Sequence, residues 1–291
     1  MREGPFITAI QTDEAMALAM LDEPAAPAYL RESDGSNNVM HFVALHNRAR
    51  VGKRLLEMGL SHEHPNSGNG LPLHFAASRG SMEVVELFLN AGSCPDGSFV
   101  APAAWTLDQQ KYHSEAPILL ATRQGHLATV KRLAQVGANL HTNPYGETFH
   151  LLHVAANGGF VDLCAYLLDK QKFSVDVLDL EGVTPLMAAA SRGHGRVMAC
   201  LIDHGADIHA RMTVSGKTAL HHAAHHGEIA PCQLLLAAGA DRRARDRDGF
   251  LPHEVPGASN AALDYLLSLV AADDLSLGAP AANHYSLGRR L

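Results

Sequence analysis

Between Thr184 and Asp241 the chain repeats itself, and that repetition limits the folds open to it. Thr184-Pro185-Leu186-Met187-Ala188-Ala189-Ala190-Ser191-Arg192-Gly193-His194 returns 34 positions later as Thr218-Ala219-Leu220-His221-His222-Ala223-Ala224-His225-His226-Gly227-Glu228. Each copy runs through an apolar helix into Gly205-Ala206-Asp207 or Gly239-Ala240-Asp241. A fixed period of this length marks a stack of small units, none of which can bury its apolar face alone. Aligned on the residue that ends each first helix, the units fall at Asn47, Gly80, Gly125, Gly159, Gly193 and Gly227, spaced by 33, 45, 34, 34 and 34. The long interval puts about twelve extra residues between the second and third units, within 97–113.

Each unit follows a local logic. Thr or Ser ahead of a helix accepts a hydrogen bond from an orphan backbone N–H, and proline in the first turn gives up a donor that had no partner. Paired alanines let helices approach, and glycine ends the helix where a left-handed backbone is needed.

These motifs resemble the ankyrin repeat, whose signature reads roughly T-P-L-H-x-A-A-x-x-G-H followed by V-V-x-x-L-L-x-x-G-A. Leu71-Pro72-Leu73-His74-Phe75-Ala76-Ala77 continues with Val84-Val85 and Phe88-Leu89, and Leu151-Leu152-His153-Val154-Ala155-Ala156 continues with Leu167-Leu168. The resemblance implies an all-α solenoid of helix-turn-helix units with β-hairpin-like loops, about six recognisable repeats between degenerate caps. The expected organisation is a capping unit and linker over 1–37, a repeat array over 38–248, a capping repeat over 249–270 and a flexible tail over 271–291. In the first unit Phe6, Ile7 and Ile10 supply one apolar face and Ala15, Leu18 and Leu21 another. In the last, Pro256-Gly257 interrupts the first helix, and Leu263, Leu266 and Leu267 are expected to form a capping helix.

Composition narrows the function. A formal charge of -7 disfavours a nucleic-acid backbone as partner, and the arginines at 242, 243, 245 and 247 are interleaved with Asp241, Asp246 and Asp248. Four scattered cysteines, Cys94, Cys164, Cys200 and Cys232, do not make a disulfide framework. Cys164 and Cys232 read as small core residues, and with no secretory or membrane-spanning run a cytoplasmic protein is expected.

No catalytic motif stands out. Ser215-Gly216-Lys217-Thr218 matches the end of a phosphate-binding loop, but Arg211 stands where that loop needs its first glycine. The 19 histidines are unusual. His221 with His225, and His222 with His226, stand at i and i+4, a spacing that suits a metal, with His194 near in sequence. The resemblance gives the other reading: His74, His153 and His221 occupy the signature histidine, which ties neighbouring repeats, while His225 and His226 face the groove. We therefore expect no cofactor, no metal and no catalytic residue. A His-dependent metal or small-ligand site near His194, His221, His225 and His226, in its enzymatic form too, stands as the alternative.

The expected function is non-catalytic recognition of another protein, as adaptor, inhibitor or regulator, with no nucleic acid and no membrane involved. By the resemblance, the ligand face comprises the hairpin tips and the groove positions of the first helices. Those positions include Arg79, Arg123, Gln124, Asn157, Ser191, Arg192, His225 and His226, a mildly basic set suited to a partner with an acidic or polar surface. The 97–113 insertion adds Phe99, Trp105 and Tyr112, aromatics of the kind that anchor interfaces.

Overall fold

Helices arrive in pairs at the period of the sequence. The computed structural model describes residues 4–97, 115–140, 150–255, 262 and 264–269. The first pair, α1 (Pro5–Thr12) and α2 (Glu14–Leu21), is followed by a short α3 (Ala26–Tyr29). Then come α4 (Val39–Leu45) with α5 (Ala49–Glu57), α6 (Pro72–Arg79) with α7 (Met82–Asn90), and α8 (Pro117–Arg123) with α9 (Leu127–Gln135). The last three pairs are α10 (Leu151–Asn157) with α11 (Val161–Asp169), α12 (Pro185–Ala190) with α13 (Gly195–Asp203), and α14 (Ala219–His226) with α15 (Ile229–Ala237). Among the described residues there is no strand beyond one isolated bridge between Ser33 and Asn38.

First helices pack on first helices from α4 through α14, and α1 extends that row against α4. The N-terminal pair is therefore stacked as a repeat, and residues further along the chain close its ends. The Glu32 carboxylate accepts the Ile7 N–H at 2.9 Å, and the Arg48 guanidinium donates to the Ile10 and Gln11 carbonyls at 2.8 and 3.2 Å. At the other end the 3-10 turn Pro252–Glu254 packs on α14, and Leu266 is buried while Leu267 is 43% exposed. Pro256, Gly257, Leu263 and the 271–291 tail lie outside the described residues, as do Phe99, Trp105 and Tyr112.

The paired alanines behave as expected. Ala76, Ala77, Ala155, Ala156, Ala189, Ala190, Ala223 and Ala224 have no exposed surface, which leaves room for Leu73, Leu152 and Leu220 to interlock between layers. Two buried clusters result, one from Phe6 to Phe88 and one from Ala77 to Leu266.

Three of the hairpin-like loops share one device. Asn66 and Asp179, six residues before α6 and α12, and Asp246, six residues before the 3-10 turn Pro252–Glu254, accept backbone N–H groups two and four residues on at 2.8–3.0 Å. The turn needs a left-handed residue three positions after the acceptor, filled by Asn69 (φ 62°), Gly182 (φ 78°) and Gly249 (φ 86°). Neighbouring tips are joined, since the Thr213 N–H donates to the Glu181 carbonyl at 3.1 Å and the Arg247 N–H to the Ser215 carbonyl at 2.8 Å.

Candidate functional site

The inner row of helices presents a groove whose floor is set by helical spacing. In each first helix the residue after the signature position points along the same face as those three and four positions on. At α10 these are Val154 and Asn157, with Gly158 just past its end; at α12 they are Ala188, with Ser191 and Arg192 just past its end. They meet in a cavity of about 630 Å³. Leu119, Met187, Val183 and Met212 complete an apolar floor, His153 and His222 add imidazoles, and Glu115, Arg123, Asp179 and Glu181 add charge.

Of the groove residues expected from the sequence, Arg123, Asn157, Ser191 and Arg192 converge here. Arg79, Gln124, His225 and His226 are not part of the cavity lining. His226 corrects an expectation. An added Cβ on Gly193 would lie 2.4 Å from the His226 Nε2, so this ring covers the glycine that ends the preceding first helix instead of facing the groove. His126 over Gly80, Phe160 over Gly125 and His194 over Gly159 do the same from the position after the next glycine. Glu228 holds that position in the last repeat, and His226 supplies the ring in its place, with the Glu228 carboxylate 3.6 Å away.

The charge of the groove also differs from expectation. Arg123 is held by both oxygens of Glu115 at 2.6 Å, and Arg192 donates to the Asn157 amide oxygen at 3.1 Å. Three carboxylates face two guanidiniums, so the cavity is not basic. The helix positions are basic, whereas the carboxylates come from elsewhere, Asp179 and Glu181 from the hairpin and Glu115 from the segment before α8. Val154, Ala188, Met212, His222 and the acidic rim were missed; the helical spacing marks the first two, but nothing local marks the rim.

The signature histidines are structural. His221 Nδ1 accepts the Thr218 N–H at 3.1 Å, which leaves its proton on Nε2, and Nε2 lies 3.2 Å from the Phe250 carbonyl just before the next helical turn. His41 and His153 repeat the contact, with Nε2 at 2.9 Å from the Gly70 carbonyl and 2.8 Å from the Val183 carbonyl. Burial lowers the pKa of all three, and takes His74 and His222 down to about 4. His194 Nε2 is 3.0 Å from the Asn157 carbonyl. Histidines near in sequence are thus spent on separate contacts, and among the described residues no group of three His, Cys, Asp or Glu side chains is placed to hold a metal.

Cys164 and Cys232 are buried and free, and burial pushes their thiols up to about 12 and 11, where they stay protonated and unreactive.

Comparison with known proteins follows the same lines. Residues 152–246 match the family model for ankyrin repeats in three copies, and residues 71–97 match a further single ankyrin repeat. The chain is an ankyrin-repeat protein. Over 199 residues, 68% of this chain, it is 31% identical to a putative palmitoyltransferase ZDHHC13 of Danio rerio. It is 26% identical over 245 residues to the ankyrin repeat protein nuc-2 of Neurospora crassa, and 32% identical over 197 residues to a putative E3 ubiquitin-protein ligase XBAT31 of Arabidopsis thaliana. The chain spans 29%, 22% and 41% of those relatives, so their transferase and ligase names describe much longer proteins. Among solved structures it resembles the human ASB11 ankyrin repeat domain with a TM-score of 0.68 at 22% identity, over 84% of this chain and the whole of the other, a likeness of fold. This ankyrin array is a protein-interaction module. Among its described residues no helix is long and apolar enough to cross a membrane.

Proposed function

We propose that this ankyrin array is a non-catalytic recognition module that binds a segment of another protein in the groove between α8, α10 and α12. The observation that carries this reading is the cavity of about 630 Å³ on the inner face, apolar at its floor and polar at its rim. Its size falls in the range of roughly 300–1,000 Å³ usual for ligand sites. The floor residues sit on stacked helices, so little ordering opposes binding, and the joined hairpin tips extend the same surface. The partner surface is polar, and an adaptor, inhibitor or regulator in the cytoplasm would use the groove in the same way. The 97–113 segment with Trp105 is a second contact region in this proposal.

The test is affinity capture with the full chain and with Ala188→Arg, which fills the groove floor from a half-buried position. A partner recovered by the first bait and lost with the second supports groove binding; a partner retained equally by both overturns it. A metal or small-ligand site at the histidines is the weaker reading, because His194, His221 and His226 are each engaged elsewhere.

A further inference from the structure

Within the groove the charges are unequally satisfied, and this inference rests on the groove being the binding face. Arg123 is neutralised by Glu115 and Arg192 is turned to the Asn157 amide oxygen, while the exposed Glu181 carboxylate has no hydrogen-bond or ion-pair partner among the described residues. Asp179 spends Oδ1 on the Glu181 and Val183 N–H groups, which holds the hairpin so that both carboxylates stand at one wall of the cavity. Below that wall lie Val154, Met187 and Met212, a flexible apolar floor of the kind that accepts an aliphatic stem. Beside it Leu180 and Val214, 66% and 61% exposed, sit on two tips joined by the Thr213-to-Glu181 backbone bond. Burial keeps His153 and His222 neutral near pH 7, so neither imidazole offsets the carboxylates.

We propose that the cavity between α10 and α12 receives an arginine or lysine side chain of an extended partner segment. Its methylenes lie on Val154, Met187 and Met212, and its cationic head is at Glu181 and Asp179. The apolar tips Leu180 and Val214 hold the residues beside it. The partner is therefore basic at this position, in contrast to the acidic or polar surface that the helix positions alone suggest.

The experiment uses the full chain and fluorescein-labelled octapeptide pools that share one fixed central residue: arginine, lysine, norleucine or glutamate. Anisotropy is read for the parent chain, for Glu181→Gln and for Ala188→Arg. Arginine or lysine pools are expected to bind about tenfold more tightly than norleucine or glutamate pools, because a like charge at the carboxylate wall is rejected. Glu181→Gln is expected to weaken only the cationic pools, about three- to fivefold, the scale of a partly exposed ion pair. Norleucine or glutamate pools that bind as tightly, or an unchanged affinity with Glu181→Gln, overturn the cationic subsite. If Ala188→Arg still abolishes binding in that case, the groove reading survives. Binding indifferent to Ala188→Arg removes the groove reading itself. No binding by any pool overturns the subsite and leaves the groove to the capture experiment. Self-association of the parent chain that Ala188→Arg dissolves would assign the groove to a second copy and also overturn it.

Discussion

An imidazole three residues into an inner helix serves two repeats at once. His221 takes the Thr218 N–H on one nitrogen and reaches the Phe250 carbonyl with the other, so removing it strands buried groups in both units. His221→Ala is expected to cost about 2 kcal/mol in urea unfolding, whereas His225→Ala, exposed on the same helix, should stay within about 0.5 kcal/mol. The same residues set the response to acid. His41, His74, His153, His221 and His222 all have pKa values lowered from 6.5, burial being the first cause, so the folded chain binds fewer protons than the unfolded one. Their contribution is complete above the ordinary value and is lost as pH falls from 6.5 toward the folded values, about 4 for His74 and His222. His204 runs the other way: its bond to the Cys200 carbonyl, then Asp169, raises it, so what it adds is present below its ordinary pKa and lost as pH rises. It is exposed and stands against these five and His62, whose pKa burial also lowers. The urea midpoint is expected to be lower at about pH 5.5 than at about pH 7.5, and equal midpoints would contradict this account.

At the scale of the helix pair, the glycine that ends each first helix meets two demands. Gly125 has φ 75°, and a Cβ there would come within 2.4 Å of the Phe160 ring from the next repeat. Gly125→Ala is therefore expected to cost about 2 kcal/mol or more, combining left-handed strain with displacement of the ring. Gly195, the first residue of α13, has nothing within 4 Å of an added Cβ and no left-handed backbone. Gly195→Ala should raise stability by about 0.4–1 kcal/mol, because it restricts the unfolded chain and strains nothing. Thermal melts of the two variants separate the cases by sign. Asn47 shows that the demand is conformational: it replaces glycine at the aligned position and adopts φ 53°. That substitution was legible from the alignment, since asparagine tolerates this region better than other side chains. Legibility ended at His226, whose position in the repeat implies the groove while its ring covers Gly193.

Across the whole molecule, each layer touches its neighbours, and the buried residues fall into two clusters that meet at α6, with Leu73 and Ala76 in one and Ala77 in the other. Stability in such an array is a sum of unit and interface terms, not one global core. Leu163→Ala, a fully packed site in α11, is expected to cost about 2–5 kcal/mol locally. Hydrogen exchange should accelerate in α10 to α13 and stay unchanged in α4 and α5; equal acceleration throughout would mean that the two clusters unfold as one.

Sequence spacing alone determined the period, the helix pairs, the turn-forming glycines and the alanine contacts, because each depends on residues within one unit or at a fixed offset in the next. The tying histidines followed from the resemblance to the ankyrin repeat, since spacing by itself also suited a metal pair. The cavity was decided only by tertiary structure. Its floor comes from α8, α10 and α12, its acidic wall from a hairpin, and its charge from Glu115 pairing with Arg123 while Glu181 stays unpaired among the described residues. Which side chains converge across three stacked layers, and which of them neutralise one another first, follows from the superposition of repeats in space and leaves no periodic mark on the chain.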